Sequence, residues 1–368
     1  MYKEIYPDKD FRKVLKKLSG SDLGTCIQCG TCSVVCSLAP DDRPFPRKEM
    51  IGAAWGLKDQ LMGNCDIWLC HQCGDCSTHC PRGVKPADVI ASLRTLTYRH
   101  YARPKFMGKL LSSPVWLPVA ILIPVVIISL ILTLAGTFAI PEGPVNYSKF
   151  FPHAWLNGSF TLLTLLSWLL AWKGFSMFQK EMKTSFPESK PIQGFVKSLK
   201  QVFSELMAHS NFTGCKEQKT RKTAHLLVFY GFILLLLVTL YAIFAVVIGR
   251  YPLKPGNVFK IAGNLASLML FTGLGILIFN RLVNPAKSGK SNYADWLLLI
   301  SMLLLTLSGS LVQFARFGNW GIAYPLYFFH LVCVWFVIIY LPYTKFGHLV
   351  YRTLAMAYAR SAGRKSKK

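Results

Sequence analysis

Two cysteine runs constrain this chain more than any other feature. The first is Cys26-x2-Cys29-x2-Cys32-x3-Cys36, and the second is Cys70-x2-Cys73-x2-Cys76-x3-Cys80 followed by Pro81. Each has the ferredoxin-type spacing that holds a cubane [4Fe–4S] cluster. Residues three apart in a tight loop can direct their sulfurs at three corners of one cube, and the fourth iron takes a thiolate from a distance. In two-cluster ferredoxins the last cysteine of one run ligates the other cluster. That pattern predicts cluster I on Cys26, Cys29, Cys32 and Cys80, and cluster II on Cys70, Cys73, Cys76 and Cys36. CxxC pairs also make zinc knuckles, but a zinc ion takes four ligands and does not call for a third CxxC step. Disulfides fit such runs less well, because in a reducing compartment they read as metal sites.

The 368 residues are 52% hydrophobic yet carry a formal net charge of +25. One soluble globule does not combine those properties; a membrane protein with basic loops does. The basic residues flank long apolar runs instead of forming one patch, which argues against a nucleic-acid partner. Nine of the eleven cysteines precede residue 81, so the two halves do different work. The opening stretch MYKEIYPDKDFRKVLKKLSG has neither the apolar core nor the cleavage site of a signal peptide, so the cysteine-rich part is expected in the cytoplasm.

The expected fold class is all-α. Residues 1–22 read as a short amphipathic helix with Phe11, Val14, Leu15 and Leu18 on one side. A second helix is expected from Arg47 to Met62, stopped by Gly63-Asn64, and a third from Pro86 to Tyr101. Cys65 reads as a packing residue. Together these make a helix-rich ferredoxin-like domain at 1–110. Six apolar runs follow, at 114–140, 153–178, 223–249, 258–280, 293–316 and 323–347. A crossing of the hydrocarbon core needs about 20 residues. Pro118 and Pro124 should kink the first. Lysine and arginine crowd loops 179–222 and 281–292 and the tail at 351–368, while the alternate loops are nearly bare. Positive-inside then places both termini and the cysteine domain in the cytoplasm, with the membrane bundle at 111–350. The basic tail reads as a solvated, lipid-facing run.

Four histidines belong to the membrane half: His153, His225, His330 and His348. On one continuous last helix, His330 and His348 would face the same way about 27 Å apart. That spacing suits two stacked haems. The second apolar run descends from the outer face and the third rises from the inner one. The expected axial pairs are therefore His153/His330 for an outer b-type haem and His225/His348 for an inner one, with His209 a competitor to His225. The chain contains no CxxCH for covalent haem. His71, His79 and His100 read as surface or packing residues, and Cys215 and Cys333 have no partners at useful spacing.

The segments CIQCGTCSVVC, PRKEMIGAAWGLKD and DIWLCHQCGDCSTHCPRGVKPADVIASLR resemble the iron–sulfur C component of heterodisulfide reductase. AHLLVFYGF and FHLVCVWFVIIYLPYTKFGHLVYR resemble its cytochrome b component, the E protein, and the histidine interval is similar to that of the nitrate reductase gamma protein. The fusion order resembles the C component of the quinone-interacting membrane-bound oxidoreductase (Qmo) complexes of sulfate reducers. The first run departs from the pattern in having Ser37 where a proline is expected.

The resemblance implies a subunit of the bacterial cytoplasmic membrane linked to menaquinone. It implies flavin- and iron–sulfur-containing Qmo subunits A and B as partners, and adenylylsulfate reductase as acceptor. Electrons would pass from menaquinol through haem b and two [4Fe–4S] clusters, with the chain inactive alone. Arg250 and Asn264 are candidates for the quinone site. The alternatives are the membrane cytochrome of a sulfite-reductase-linked or heterodisulfide-reductase-type complex, a redox-inactive anchor with zinc knuckles, and a cluster-based sensor.

Overall fold

The computed structural model describes residues 6–40, 44–185, 193–208, 219–254, 256–284 and 289–364. Among the described residues every regular element is a helix and there is no strand. The cysteine-rich half contains α1 (Lys9–Ser19), α2 (Thr31–Val34), α3 (Arg47–Trp55), α4 (Lys58–Met62), α5 (Asp66–Leu69), α6 (Asp75–Thr78) and α7 (Pro86–Tyr101). The remainder contains α8 (Lys105–Leu111), α9 (Leu117–Leu134), α10 (Tyr147–Phe150), α11 (His153–Ser185), α12 (Phe195–Ala208) and α13 (Lys219–Val247). It ends with α14 (Val258–Val283), α15 (Tyr293–Phe317), α16 (Ala323–Ile338) and α17 (His348–Ser361).

Local chemistry sets the boundaries. Asp8 caps α1 by accepting a hydrogen bond from the Phe11 N–H at 2.8 Å, and Gly20 closes it in the left-handed conformation. Proline opens α7, where its missing N–H costs nothing. The single helix expected over 47–62 is two. Gly56, at φ +72°, ends α3, and a Cβ there would meet the Asp8 carbonyl oxygen at 2.6 Å. The Asp8 N–H donates to the Gly56 carbonyl at 2.9 Å, so the break is where the start of α1 docks.

Among the described residues, five helices are long and apolar enough to cross a membrane: Pro114–Leu134, His153–Thr184, Thr220–Val247, Val258–Val283 and Tyr293–Phe317. Between 6% and 28% of each apolar stretch is buried within the protein, so most of that surface forms the bundle's outer face. The sixth run departs from expectation. Its helix α16 has 16 residues, about 24 Å, and gives way to 3-10 turns at Leu341–Tyr343 and Lys345–Gly347. Pro342 is the cause: it has no N–H to donate into the helix and its ring crowds the preceding turn. Ser167 donates to the freed Ile339 carbonyl at 2.6 Å, and the Tyr340 hydroxyl donates to the Ala120 carbonyl at 3.1 Å. His348 therefore starts a separate helix, and the spacing expected along one continuous helix does not hold.

The bundle has two distinct ends. At one, Val145 N–H donates to Asn319, Asn146 N–H to the Tyr324 hydroxyl, and the His153 ring meets Tyr251. At the other lies the cysteine-rich domain. There Lys290 N–H donates to Asp88, Asn292 to Thr95, and the Tyr101 hydroxyl to Glu181. The described parts of the loops rich in lysine and arginine thus lie at the end that carries the cysteines. The expected solvated tail also begins differently: Tyr351, Ala355, Ala357 and Ala359 of α17 are buried, and Arg364 is ion-paired with Asp66.

α11 packs tightly on the end of α7 at Gly174, where a Cβ would overlap the Tyr101 carbonyl oxygen. Gly174→Ala must push α11 off α7, at a cost of about 1–3 kcal/mol. Thermal unfolding in detergent should show a lower Tm than for Gly158→Ala, whose Cβ would meet nothing within 4 Å.

Candidate functional site

The two cysteine loops are built alike. Each reads Cys-x-Gln-Cys-Gly-x-Cys, and each turns back on itself at the same two positions. Gln28 and Gln72 have φ of 60° and 55°, and Gly30 and Gly74 have φ of 85° and 93°. Non-glycine residues rarely adopt this conformation, and they cluster at binding sites when they do. Short helices α2 and α6 start from the two glycines. The Gln28 side-chain amide donates to the Cys26 sulfur, and the Gln72 backbone N–H to the Cys70 sulfur, both at 3.3 Å.

Each loop lines a cavity, and the cysteines cross between them. The first cavity is bounded by Cys26, Cys29, Cys32 and Cys80, with Gln28, Arg47 and Pro81. The second is bounded by Cys36, Cys70, Cys73 and Cys76, with His71. The fourth thiol of each set thus comes from the other run. Four soft sulfur donors around one cavity fit a cluster of four irons.

Burial pushes the Cys32 thiol up to about 11, against a hydrogen bond with Ser33 and helped by neighbouring Cys26 and Cys29. It pushes Cys76 further, with Cys70, Cys73 and Cys36 adding to the effect. Cys29 is exposed and lies lower than usual, because the Thr31 hydroxyl stands 3.3 Å from its sulfur. Loading iron on thiols held protonated this way releases protons. Cys65 is buried, lines neither cavity, and has its thiol raised by burial and Asp66.

The described histidines of the membrane half fall at different depths. His348 is at the cysteine-domain end, with Nδ1 donating to the Lys345 carbonyl at 2.7 Å. That bond leaves Nε2 as the ring nitrogen that could ligate a metal. His225 lies near the same end, in the second turn of α13, and two turns further on Phe232 meets Phe346 with ring centres 5.9 Å apart. His330 lies about two turns into α16, with Nδ1 2.9 Å from the Ser308 hydroxyl and its ring against Gly309. His153 opens α11 at the opposite end, edge-on to Tyr251 at 4.9 Å. His209 and Cys215 lie outside the described residues. Arg250 and Asn264 are both exposed. His79 is exposed and bonded to its own helix, and His100 packs on Tyr101.

Sequence reasoning passed over the two glutamines, although the repeated Cys-x-Gln-Cys-Gly pattern carries them. His71, read from the sequence as a surface or packing residue, lines the second cavity and is held down to about 4 by burial, Arg352 and Arg94. Arg94 donates to the carbonyls of Ile67 and Cys70, and no local pattern marks it.

The fold and the cysteine sets define an iron–sulfur domain joined to an apolar helical bundle. A family model for a 4Fe-4S dicluster domain matches residues 22–84, and one described as Citrate utilization protein B matches residues 108–368. The chain belongs to the Citrate utilization protein B family. It is 26% identical to Citrate utilization protein B of Escherichia coli over 284 residues, 73% of this chain and 72% of that protein.

The cysteine-rich half is similar to the C component of heterodisulfide reductases. It is 34% identical over 96 residues to a protein of Archaeoglobus profundus that is itself described as like that component, covering 26% of this chain and 51% of that one. It is 38% identical over 90 residues to the C component of the H(2):CoB-CoM heterodisulfide,ferredoxin reductase of Methanothermobacter marburgensis, covering 24% and 47%. The chain thus spans about half the length of these relatives. No solved structure gives a significant match.

The crossed cysteine sets give a separable expectation. Cys80→Ser should disturb the cluster signal that Cys26→Ser disturbs, and Cys36→Ser the one that Cys73→Ser disturbs. Electron paramagnetic resonance of the reduced variants checks this. An uncrossed result, with Cys36 grouped with Cys26, would contradict the cavity assignment.

Proposed function

We propose that this chain is a membrane electron-transfer subunit. It carries electrons between a membrane quinol and soluble partner subunits through two [4Fe–4S] clusters and two b-type haems. The carrying observation is the pair of cavities, each bounded by four cysteines, packed on the end of the apolar bundle where His348 stands. Cys26, Cys29, Cys32 and Cys80 would hold cluster I, and Cys70, Cys73, Cys76 and Cys36 cluster II. His153/His330 and His225/His348 would hold the haems. When bound, these groups supply one-electron steps between a two-electron quinol and a two-electron flavin.

The chain's own contribution is placement. Ser308 and the Lys345 carbonyl orient His330 and His348 by their Nδ1 atoms, and the glutamine turns aim the cysteine sulfurs. The basic loops on the cysteine side favour a cytoplasmic domain in a bacterial inner membrane. The quinol is menaquinol on the Qmo-like reading. That reading takes Qmo subunits A and B as partners and adenylylsulfate reductase as the final acceptor.

A second reading draws on the family. Its member from Escherichia coli is named for citrate utilization, and the match runs through most of both chains. On that reading the soluble partner acts on citrate or a related acid, and the wire is the same.

The test is metal and haem content with redox-poised optical spectra of the purified protein. About eight non-haem irons are expected, with two non-covalent haems reduced by a menaquinol analogue. His330→Ala and His348→Ala should each remove one haem and leave the other. Zinc in place of iron, with no haem, would overturn the electron-transfer reading.

A further inference from the structure

The two cysteine loops share a sequence pattern but differ in what surrounds them. Among the described residues, the first cavity is lined by Arg47 and Arg82 and by no carboxylate, whereas the second is lined by Asp75 and by no arginine or lysine. Arg82 is exposed and Arg47 is half-buried. Gly30 and Gly74 mark the same turn of each loop. A Cβ at Gly30 would stand 3.8 Å from Cδ of Arg47, and one at Gly74 would meet nothing within 4 Å. The Arg47 side chain therefore lies over the turn of the first loop, and no described residue takes that place over the second.

Arg47 is anchored by its own backbone. It is the first residue of α3, and its N–H donates to the Ser33 hydroxyl at 3.2 Å. Ser33 follows Cys32 on α2, so the base of the arginine is tied to the short helix that carries one cysteine of the first set. At the cavity, the Arg47 Nε is buried and has no hydrogen-bond acceptor among the described residues. Its charge also bears on the Cys29 thiol. A buried N–H without a partner carries the cost of its desolvation unrelieved, and native structures rarely leave one so. At a wall shared with four cysteines, such a donor points to an acceptor that occupies the cavity. A [4Fe–4S] centre on four thiolates is an anion whose sulfurs accept hydrogen bonds, and its potential follows its net charge and those bonds.

We propose that Arg47 donates a charge-assisted hydrogen bond through Nε to a sulfur of the cluster held by Cys26, Cys29, Cys32 and Cys80, and thereby raises the potential of that cluster. The inference rests on the cluster reading above and deepens it, since it gives cluster I an arginine donor and cluster II none. Both the charge and the bond favour the reduced form, which is the more negative one. The effect falls on the carrier that meets solvent. The membrane half grips the second loop, through Arg221 on the Gln72 carbonyl at 3.2 Å, while the first loop is exposed at Ile27 and Cys29. Arg47 thus sets the potential at which electrons pass between this chain and a soluble partner.

The experiment is a potential-poised electron paramagnetic resonance titration of full-length Arg47→Met and Arg47→Lys, with iron counted in each. Methionine keeps an apolar stem over Gly30 and removes both donor and charge. Lysine keeps the charge and removes the Nε–H. The signal that Cys26→Ser disturbs should titrate at a lower potential in Arg47→Met, and between that value and the wild-type one in Arg47→Lys. The signal that Cys73→Ser disturbs should not move.

If Arg47→Met assembles no first cluster, Arg47→Lys carries the test, with the cluster kept and its potential below that of wild type. An unchanged potential in both variants would overturn the proposal. So would an equal shift of both signals, which a general loosening of the domain gives. Full recovery in Arg47→Lys would assign the effect to charge alone and remove the bond. Wild-type protein with zinc in place of iron is a separate result, which would overturn the cluster reading itself.

Discussion

A seam of aromatic rings holds the two halves at a fixed separation, and the rest of the arrangement depends on it. Tyr351 of α17 stacks on Trp68 of α5 with ring centres 5.2 Å apart. Tyr98 and Tyr101 of α7 and Phe175 and Phe178 of α11 close around that pair, mostly edge-on. Such pairs contribute about 0.5–1.5 kcal/mol each beyond the area they bury. Their positions matter as much as their energy. Trp68 is two residues before Cys70, and Tyr351 is three residues after His348. The stack therefore sets how far the second cysteine loop stands from the histidine nearest it. Close-packed interiors resist deformation, so the separation is held without a direct bond between the two sites.

Around the seam, charge is arranged to tie the chain's ends together. Glu49 and Asp66 are fully buried, and Asn64 bridges them by donating to Glu49 at 2.8 Å and accepting from the Asp66 N–H at 2.9 Å. Lys48 stands 3.5 Å from Glu49 and 3.3 Å from Asp66. Arg364, from the far end of the sequence, completes the group on Asp66. Burial raises the Glu49 carboxyl while Lys48 opposes it. An ion pair so enclosed adds little net stability, because desolvation offsets its attraction. It does demand its partners, however: the end of α17 has one place where Arg364 is satisfied, and that place is beside Cys36.

Much of this was legible in the sequence, because its signals were local. The cysteine spacings announced two like loops, and their eight cysteines line the two cavities in two sets of four. Pro86 marked the start of α7, and apolar length marked five of the helices that are long enough to cross a membrane. What escaped depended on contacts distant in sequence. The break at Gly56 exists because the start of α1 docks there, 48 residues away. Arg352 looked like one more basic residue of a tail, yet α17 is packed on both sides and turns that arginine inward. The positive φ of Gln28 and Gln72 is imposed by closing each loop around its cavity, and no propensity scale reports it.

The break after α16 separates two jobs that one straight helix could not do together. A helix continuous from Ala323 would keep His348 in line with the bundle axis, its depth set by helical rise alone. With the helix ended before Pro342, the next nine residues are held by groups from several elements. The Tyr343 hydroxyl lies 2.9 Å from the Arg103 carbonyl and 3.0 Å from that of Ser167, and Lys345 is bound to Asp295. His330 thus belongs to the membrane bundle and is oriented by Ser308 of its neighbour α15. His348 belongs to a turn gripped by α11, by α15 and by the segment leaving the cysteine domain. The residue nearest the second cysteine loop is therefore positioned by that domain as well as by the membrane half. On the proposed electron path from one half to the other, that shared control matters, since a small change in separation between carriers alters transfer far more than a small change in either site.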